Sequence, residues 1–290
     1  MIMCGLLSLL LLMQLSAGDA ERLYRQSKYS EAASAFRALV NSNPGSAEAW
    51  AGLGKSLLQL GRPEAVPSLG RALQLKPGDR EIERALASAQ LQNGNTPAAV
   101  ALLEPLTEQG ANDPQAFYLL GQIMYGAGFY QRSLQLMGRS LELDPGNTQA
   151  QTMYAISLAK VGRSAEAEIA CRRILDQTHG SLDLDLALTY VELLDDEGHT
   201  TAAFPYVDRV IQERPQDPMA HFWRARLLLH SERLVDAAVE AERSVAYAPN
   251  LPFARNLLVQ IYRRQGRLEE AERQAAWLRD YNDRLLGRGR

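Results

Sequence analysis

Apolar and polar residues alternate along this chain with the spacing of helices, and they do so in paired segments. The clearest pair runs from Pro114 to Asn147. Phe117, Leu120, Gly121 and Met124 fall on one face of a first helix over about 115–126, and a turn follows at Gly128-Phe129. Leu134, Met137 and Leu141 face inward from a second helix over about 131–143, which Asp144-Pro145-Gly146 ends. So short a connection makes the two helices antiparallel. The pattern then repeats. Small residues recur at Ala32, Ala65, Ala99, Ser133, Ala167, Ala203, Ala237 and Ala271, in steps of 33, 34, 34, 34, 36, 34 and 34 residues. Five of them are followed twelve residues later by proline: Pro44, Pro77, Pro145, Pro215 and Pro249. A period near 34 over eight units predicts an all-α solenoid of about eight helical hairpins, each contacting its neighbours.

A second set of small residues supports the same architecture. First-helix positions Ala20, Gly54, Ala87, Gly121, Ala155, Val191, Ala225 and Val259 are mostly Gly or Ala, as a close helix crossing requires. Turn glycines follow at Gly61, Gly94, Gly128, Gly162, Gly198 and Gly266. Both sets are therefore read as structural.

These residues carry a resemblance to the tetratricopeptide repeat family. Ala49-Trp50-Ala51-Gly52-Leu53-Gly54 is similar to the family's aromatic, leucine and glycine opening, and Asp144-Pro145-Gly146-Asn147 to its closing turn. The resemblance covers about residues 20–282. It implies a right-handed α-solenoid, one array over 19–286, with units at about 19–46, 47–79, 80–113, 114–147, 148–183, 184–217, 218–251 and 252–285. The sequence departs from the family pattern in four ways. The opening aromatic survives only at Trp50 and Phe117. Ala111 and His179 stand where proline is expected. Two extra residues between His179 and Leu184 mark the expected irregularity. The first unit reads as truncated, a stub around Asp19–Ser27.

Residues 1–18 differ in character. Gly5 to Leu15 is almost continuously apolar, and small residues follow at Ser16-Ala17-Gly18-Asp19-Ala20. This reads as a signal peptide cleaved near 17–20, although no Lys or Arg precedes the apolar run. The segment is short for a span, which needs about 20 apolar residues. The expectation is export to the periplasm or the outside, with an uncleaved membrane anchor as the alternative. Residues 287–290 read as a frayed tail.

Composition removes several function classes. The chain is 46% hydrophobic and 22% charged, with a net charge of -3. It thus has no basic footprint for nucleic acid and does not read as disordered. Of two cysteines, Cys4 leaves with the signal and lacks the small-residue box of a lipid-modified cysteine. Cys171 shares a helical face with Ala167 and reads as a buried apolar residue. Gly54-Lys55-Ser56 lacks the earlier glycine and strand of a phosphate loop. Asp183, Asp185, Glu192, Asp195, Asp196 and Glu197 lack calcium-loop spacing, so a solvated face is expected. His221 and His230, nine residues apart, point about 180° from each other on a helix. With no catalytic, cofactor or metal constellation legible, the chain reads as a non-enzyme without cofactor.

What the resemblance implies is a scaffold that binds a peptide or helix on the concave face made by the first helices. Carried onto this sequence, that face holds Lys55, Arg84, Tyr118, Gln122, Tyr125, Lys160, Glu192, Phe222, Trp223, Arg226, Asn256, Gln260 and Arg263. Phe222, Trp223 and Arg226 read as its strongest anchor, since Trp, Tyr and Arg dominate interface hot spots, with inter-unit packing the alternative for the two aromatics. Replacing Trp223 and Arg226 by alanine is expected to weaken binding and spare helicity. The set that clamps peptide carboxylates in chaperone-binding relatives is not met, since Ala51, Lys55, Glu81 and Ala85 stand in its place. The partner is expected to be a protein or peptide, with membrane contact confined to the N-terminal segment. The competing readings are an adaptor or assembly subunit of a secretion, pilus or outer-membrane machine, and an accessory subunit of an enzyme encoded elsewhere.

Overall fold

The structure, a computed structural model, describes residues 16–108, 110–177 and 183–286. Most of the apolar N-terminal segment, His179 and the predicted tail lie outside these residues. Sixteen α-helices and one 3-10 turn, and no strand, are present among the described residues. The chain divides into two compact units, Met1–Asn147 and Thr148–Arg290. The division falls between the fourth and fifth repeats.

The first unit contains α1 (Ala17–Arg25), α2 (Tyr29–Ser42), α3 (Ala47–Gln59), α4 (Ala65–Leu75), α5 (Arg80–Gln92), α6 (Thr96–Leu103), a 3-10 turn (Pro105–Thr107), α7 (Pro114–Gly126) and α8 (Tyr130–Leu143). The second contains α9 (Thr148–Lys160), α10 (Ser164–Gln177), α11 (Leu184–Asp196), α12 (Thr200–Glu213), α13 (Pro218–His230), α14 (Leu234–Tyr247), α15 (Pro252–Arg264) and α16 (Leu268–Leu285). Odd-numbered helices open the hairpins and even-numbered helices close them. Within each unit a first helix packs on its own second helix, on the second helix before it, and on the neighbouring first helices. This is the contact pattern of a solenoid.

Local chemistry starts and stops the helices. Side chains of Ser46, Asp79, Asp113, Asp183 and Asp217 accept from backbone N–H groups at the starts of α3, α5, α7, α11 and α13. Each first helix ends in the same way. A residue with positive φ follows it, and the next N–H returns to a carbonyl five residues back, as Phe129 N does to Met124 O at 2.8 Å and Arg267 N to Tyr262 O at 2.9 Å. Six of these turns use the predicted glycines, whereas Ser27 (φ 58°) and Glu232 (φ 61°) hold the same conformation without one.

The small-residue ladder is buried from end to end, from Ala32 at 0% to Ala271 at 3% exposure. The contact that demands it differs from a crossing of small residue on small residue. A Cβ added at Gly54 would stand 2.5 Å from Leu69 Cγ and 3.0 Å from the Leu69 backbone N; at Gly121 it would meet Met137 Cε at 2.7 Å. At these two glycines the first-helix gap therefore seats a large side chain four residues beyond the ladder position.

The first unit opens with a shorter helix, nine residues in α1 against thirteen in α3, which Ser16 and Asp19 start with a reciprocal capping box and which buries Ala20 completely. The described irregularity is at α6, which ends after eight residues where Pro105 interrupts it. The two extra residues before Leu184 lie outside the described residues.

Candidate functional site

The predicted groove charges are largely engaged with the protein itself. In the first unit, Lys55 Nζ stands 2.6 Å from Glu81 Oε1, linking α3 to α5. Arg84 Nη1 donates to both oxygens of Asp113 at 2.9 and 2.7 Å, linking α5 to the start of α7. Asp113 is 6% exposed and also caps α7 through Ala116 N at 3.0 Å. Gln122 Nε2 donates to Tyr118 Oη at 2.7 Å, and Tyr118 is buried. Tyr125 packs its ring 5.2 Å from that of Tyr130 on α8.

In the second unit the same diagonal register is used twice with the polarity reversed. Lys160 on α9 faces Glu192 on α11 at 3.7 Å, and Asp196 on α11 faces Arg226 on α13 at 2.7 Å. Arg226 also brings Nε to 2.8 Å from Asp195 Oδ2. That N–H is not directed along the contact, so the buried oxygen is paired by charge without accepting a directed hydrogen bond. His230 Nδ1 lies 2.8 Å from the other Asp195 oxygen. The guanidinium sits 5.0 Å from the Trp223 ring centroid.

Trp223 is 6% exposed and packs against Phe222, which itself meets Phe253 at 4.8 Å. Phe222 thus packs between neighbouring hairpins, and Trp223 is buried beside it. Trp223 supports Arg226 from below, and Arg226 offsets a buried carboxylate. The double alanine replacement would therefore remove contacts within the fold as well as any contact with a partner. Three predicted groove residues are exposed and lie on one face of α15: Asn256, Gln260 and Arg263, at positions i, i+4 and i+7.

One polar constellation escaped the sequence reading. His221 is buried, with Nδ1 2.6 Å from Glu240 Oε2 and Nε2 2.9 Å from the Pro215 carbonyl. Glu240 is also buried and accepts from Arg224 at 3.1 Å and Arg243 at 2.8 Å. Arg224 reaches on to Asp208 at 2.8 Å. The contact to Pro215 has equivalents. Trp50 Nε1 donates to the Pro44 carbonyl at 2.9 Å, and Arg255 Nη2 to that of Pro249 at 3.0 Å, each six residues back. At His221 and Arg255, where the opening aromatic is missing, another side chain takes its place on the preceding turn.

No group of three or more His, Cys, Asp or Glu side chains is placed to hold a metal ion among the described residues. No helix among them is long and apolar enough to cross a membrane.

Family models described as tetratricopeptide repeat match residues 19–80, 118–181 and 191–253 with one model, 63–123 with a second and 252–277 with a third. The human protein O-mannosyl-transferase TMTC1 is 27% identical over 138 residues, which are 47% of this chain and 15% of that protein. Among solved structures, the APC/C hetero-tetramer Cut9-Hcn1 matches with a TM-score of 0.68 at 14% identity, covering 86% of this chain and 49% of that one. PilW, described as a type IV pilus biogenesis factor, matches with a TM-score of 0.60 at 18% identity, covering 69% of this chain and 92% of that one. The chain thus spans a small part of its curated relative and about half of the Cut9-Hcn1 chain. With one family model alone matching more than half of its length, and with hairpins packed as described, the chain belongs to the tetratricopeptide repeat family.

Proposed function

We propose that the chain is a non-catalytic scaffold that holds a peptide or helix of a protein partner along its first-helix face. Membership of the repeat family supports the general role of protein–protein interaction. The observation that carries the finer reading is the contrast along that face. Lys55, Arg84, Lys160, Glu192 and Arg226 join neighbouring hairpins, whereas Asn256, Gln260 and Arg263 project together from α15 into solvent. Two amides and a guanidinium in one row are suited to backbone carbonyls and carboxylates. The testing experiment is affinity capture with the wild-type chain and with Asn256→Ala/Gln260→Ala/Arg263→Ala. The triple variant is expected to keep its helical circular dichroism and lose at least one captured protein; identical captures would remove α15 from the docking surface.

The match to PilW favours a second reading, an adaptor within an envelope assembly. Co-fractionation with membranes and with a pilus or secretion complex supports it. Export of the chain belongs to this reading and is checked by N-terminal sequencing of the mature product.

A further inference from the structure

A notch in the first unit has an origin that comparison of the repeats reveals. Five residues beyond the small first-helix position stand, from α3 onward, Gln59, Gln92, Gly126, Lys160, Asp196, His230 and Arg264. Lys160 and Asp196 reach forward to Glu192 and Arg226. His230 and Arg264 reach back to the residue four beyond the small position of the previous first helix: His230 lies 2.8 Å from Asp195, and Arg264 lies 3.4 Å from the Leu229 carbonyl. The corresponding reach in α7 would end at Leu91, but Gly126 has no side chain to make it. A cavity of about 440 Å³ stands there instead, lined by Leu91, Thr96, Gln122, Ile123, Gly126 and Ala127. That volume lies within the range of small-ligand pockets.

Packing does not explain this glycine. A Cβ at Gly126 would meet nothing within 4 Å, and the residue lies inside the helical span without positive φ. Glycine in a helix is disfavoured relative to alanine. What it preserves at this position is empty space.

The surroundings define the occupant. Residues 85–103 and 114–131, which supply the whole lining, contain no Asp, Glu, Lys or Arg, in a chain that is 22% charged. A charged group entering the notch would lose water and find no counter-charge. Gln122 and Thr96 place an amide and a hydroxyl at the apolar lining, as recognition of a peptide backbone beside an apolar side chain requires.

We propose that this notch is a specificity pocket for one aliphatic side chain, Leu or Ile in kind, carried by an uncharged extended segment of a protein partner. The proposal rests on the docking reading above and adds the chemistry of what is docked. The test selects a random heptapeptide display library on the immobilised full chain and on two variants, Gly126→Ala and Gly126→Gln. Both variants are expected to melt at or above the wild-type temperature. Peptides selected on the wild type are expected to share an aliphatic core residue without neighbouring charge. They should bind Gly126→Ala, and bind Gly126→Gln about tenfold more weakly or worse, the loss that follows from one unburied aliphatic side chain. Equal binding to wild type and Gly126→Gln overturns the pocket and leaves the docking surface standing, as does a selected core that carries charge. A library that yields no binder to the wild type overturns both.

Discussion

His221 Nδ1 and Glu240 Oε2 stand 2.6 Å apart with both side chains buried, while the other ring nitrogen faces the Pro215 carbonyl at 2.9 Å. His221→Leu removes both ring contacts and leaves a buried Glu240 oxygen short of a partner, at a cost of about 1–3 kcal/mol. Glu240 keeps Arg224 and Arg243, which limits the loss. The urea midpoint of His221→Leu is expected to fall with an unchanged slope, and an unaltered midpoint would show that the contact contributes no stability.

Ser27 and Glu232 occupy the left-handed turn position that six other hairpins fill with glycine. For an L residue that conformation is strained by roughly 1–2 kcal/mol, and glycine gives back part of the gain through its freer unfolded chain. Ser27→Gly is expected to raise stability by about 0.5–1 kcal/mol on thermal melting. Glu232→Gly should gain less, because it also removes the ion pair with Arg264. A lower melting temperature for Ser27→Gly would contradict the strain argument.

These two sites mark where sequence reading succeeds and where it stops. The period near 34, the turn glycines and the buried ladder follow from backbone geometry that every unit must satisfy, so one residue type recurs and the architecture is legible. Ser27 and Glu232 hide the same geometry because tertiary context tolerates the strain. The groove is less legible for a related reason. Position alone marks Lys55, Arg84, Lys160, Glu192 and Arg226 as facing the concave side, but a charge on a first helix is equally well placed to meet the next first helix, and here it does so. The His221–Glu240 pair was hidden because each residue is unremarkable in its own helix and their partnership spans 19 residues. Gly126 was legible as a helical glycine but not as a missing contact, which appears once His230 and Arg264 are seen reaching back.

Burial pushes the Cys171 thiol up to about 12. Tyr262 is also raised to about 12, by burial first and then by its hydrogen bond to Glu242. Both groups are neutral acids whose protons are held more tightly in the folded chain than in the unfolded one, where they ionise near 8.5 and 10. Their contribution is fully present below the unfolded values and is lost as pH rises toward the folded ones. The melting temperature is therefore expected to decline from about pH 9 upward, with a shallower decline for Cys171→Ala. The folded thiol should also resist iodoacetamide at pH 8 and react once the chain is unfolded in urea. Rapid labelling of the folded chain would contradict its burial.

Arg226 binds the α11–α13 pair by offsetting Asp195, whose side chain is fully buried, and by bonding Asp196 at the surface. Removing one partner of a buried pair costs more than the pair itself contributes, because the charge left behind has lost its water. Arg226→Leu is thus expected to destabilise by roughly 3 kcal/mol, far beyond the 0–1 kcal/mol of an exposed ion pair. Adding Asp195→Asn should restore much of that loss, since the amide needs no counter-charge and still accepts from His230. If instead the two substitutions add independently in urea titrations, the buried carboxylate is not what Arg226 serves. Recovery in the double variant would assign this arginine to holding neighbouring hairpins together, and would leave Asn256, Gln260 and Arg263 as the exposed polar row from which docking should be sought.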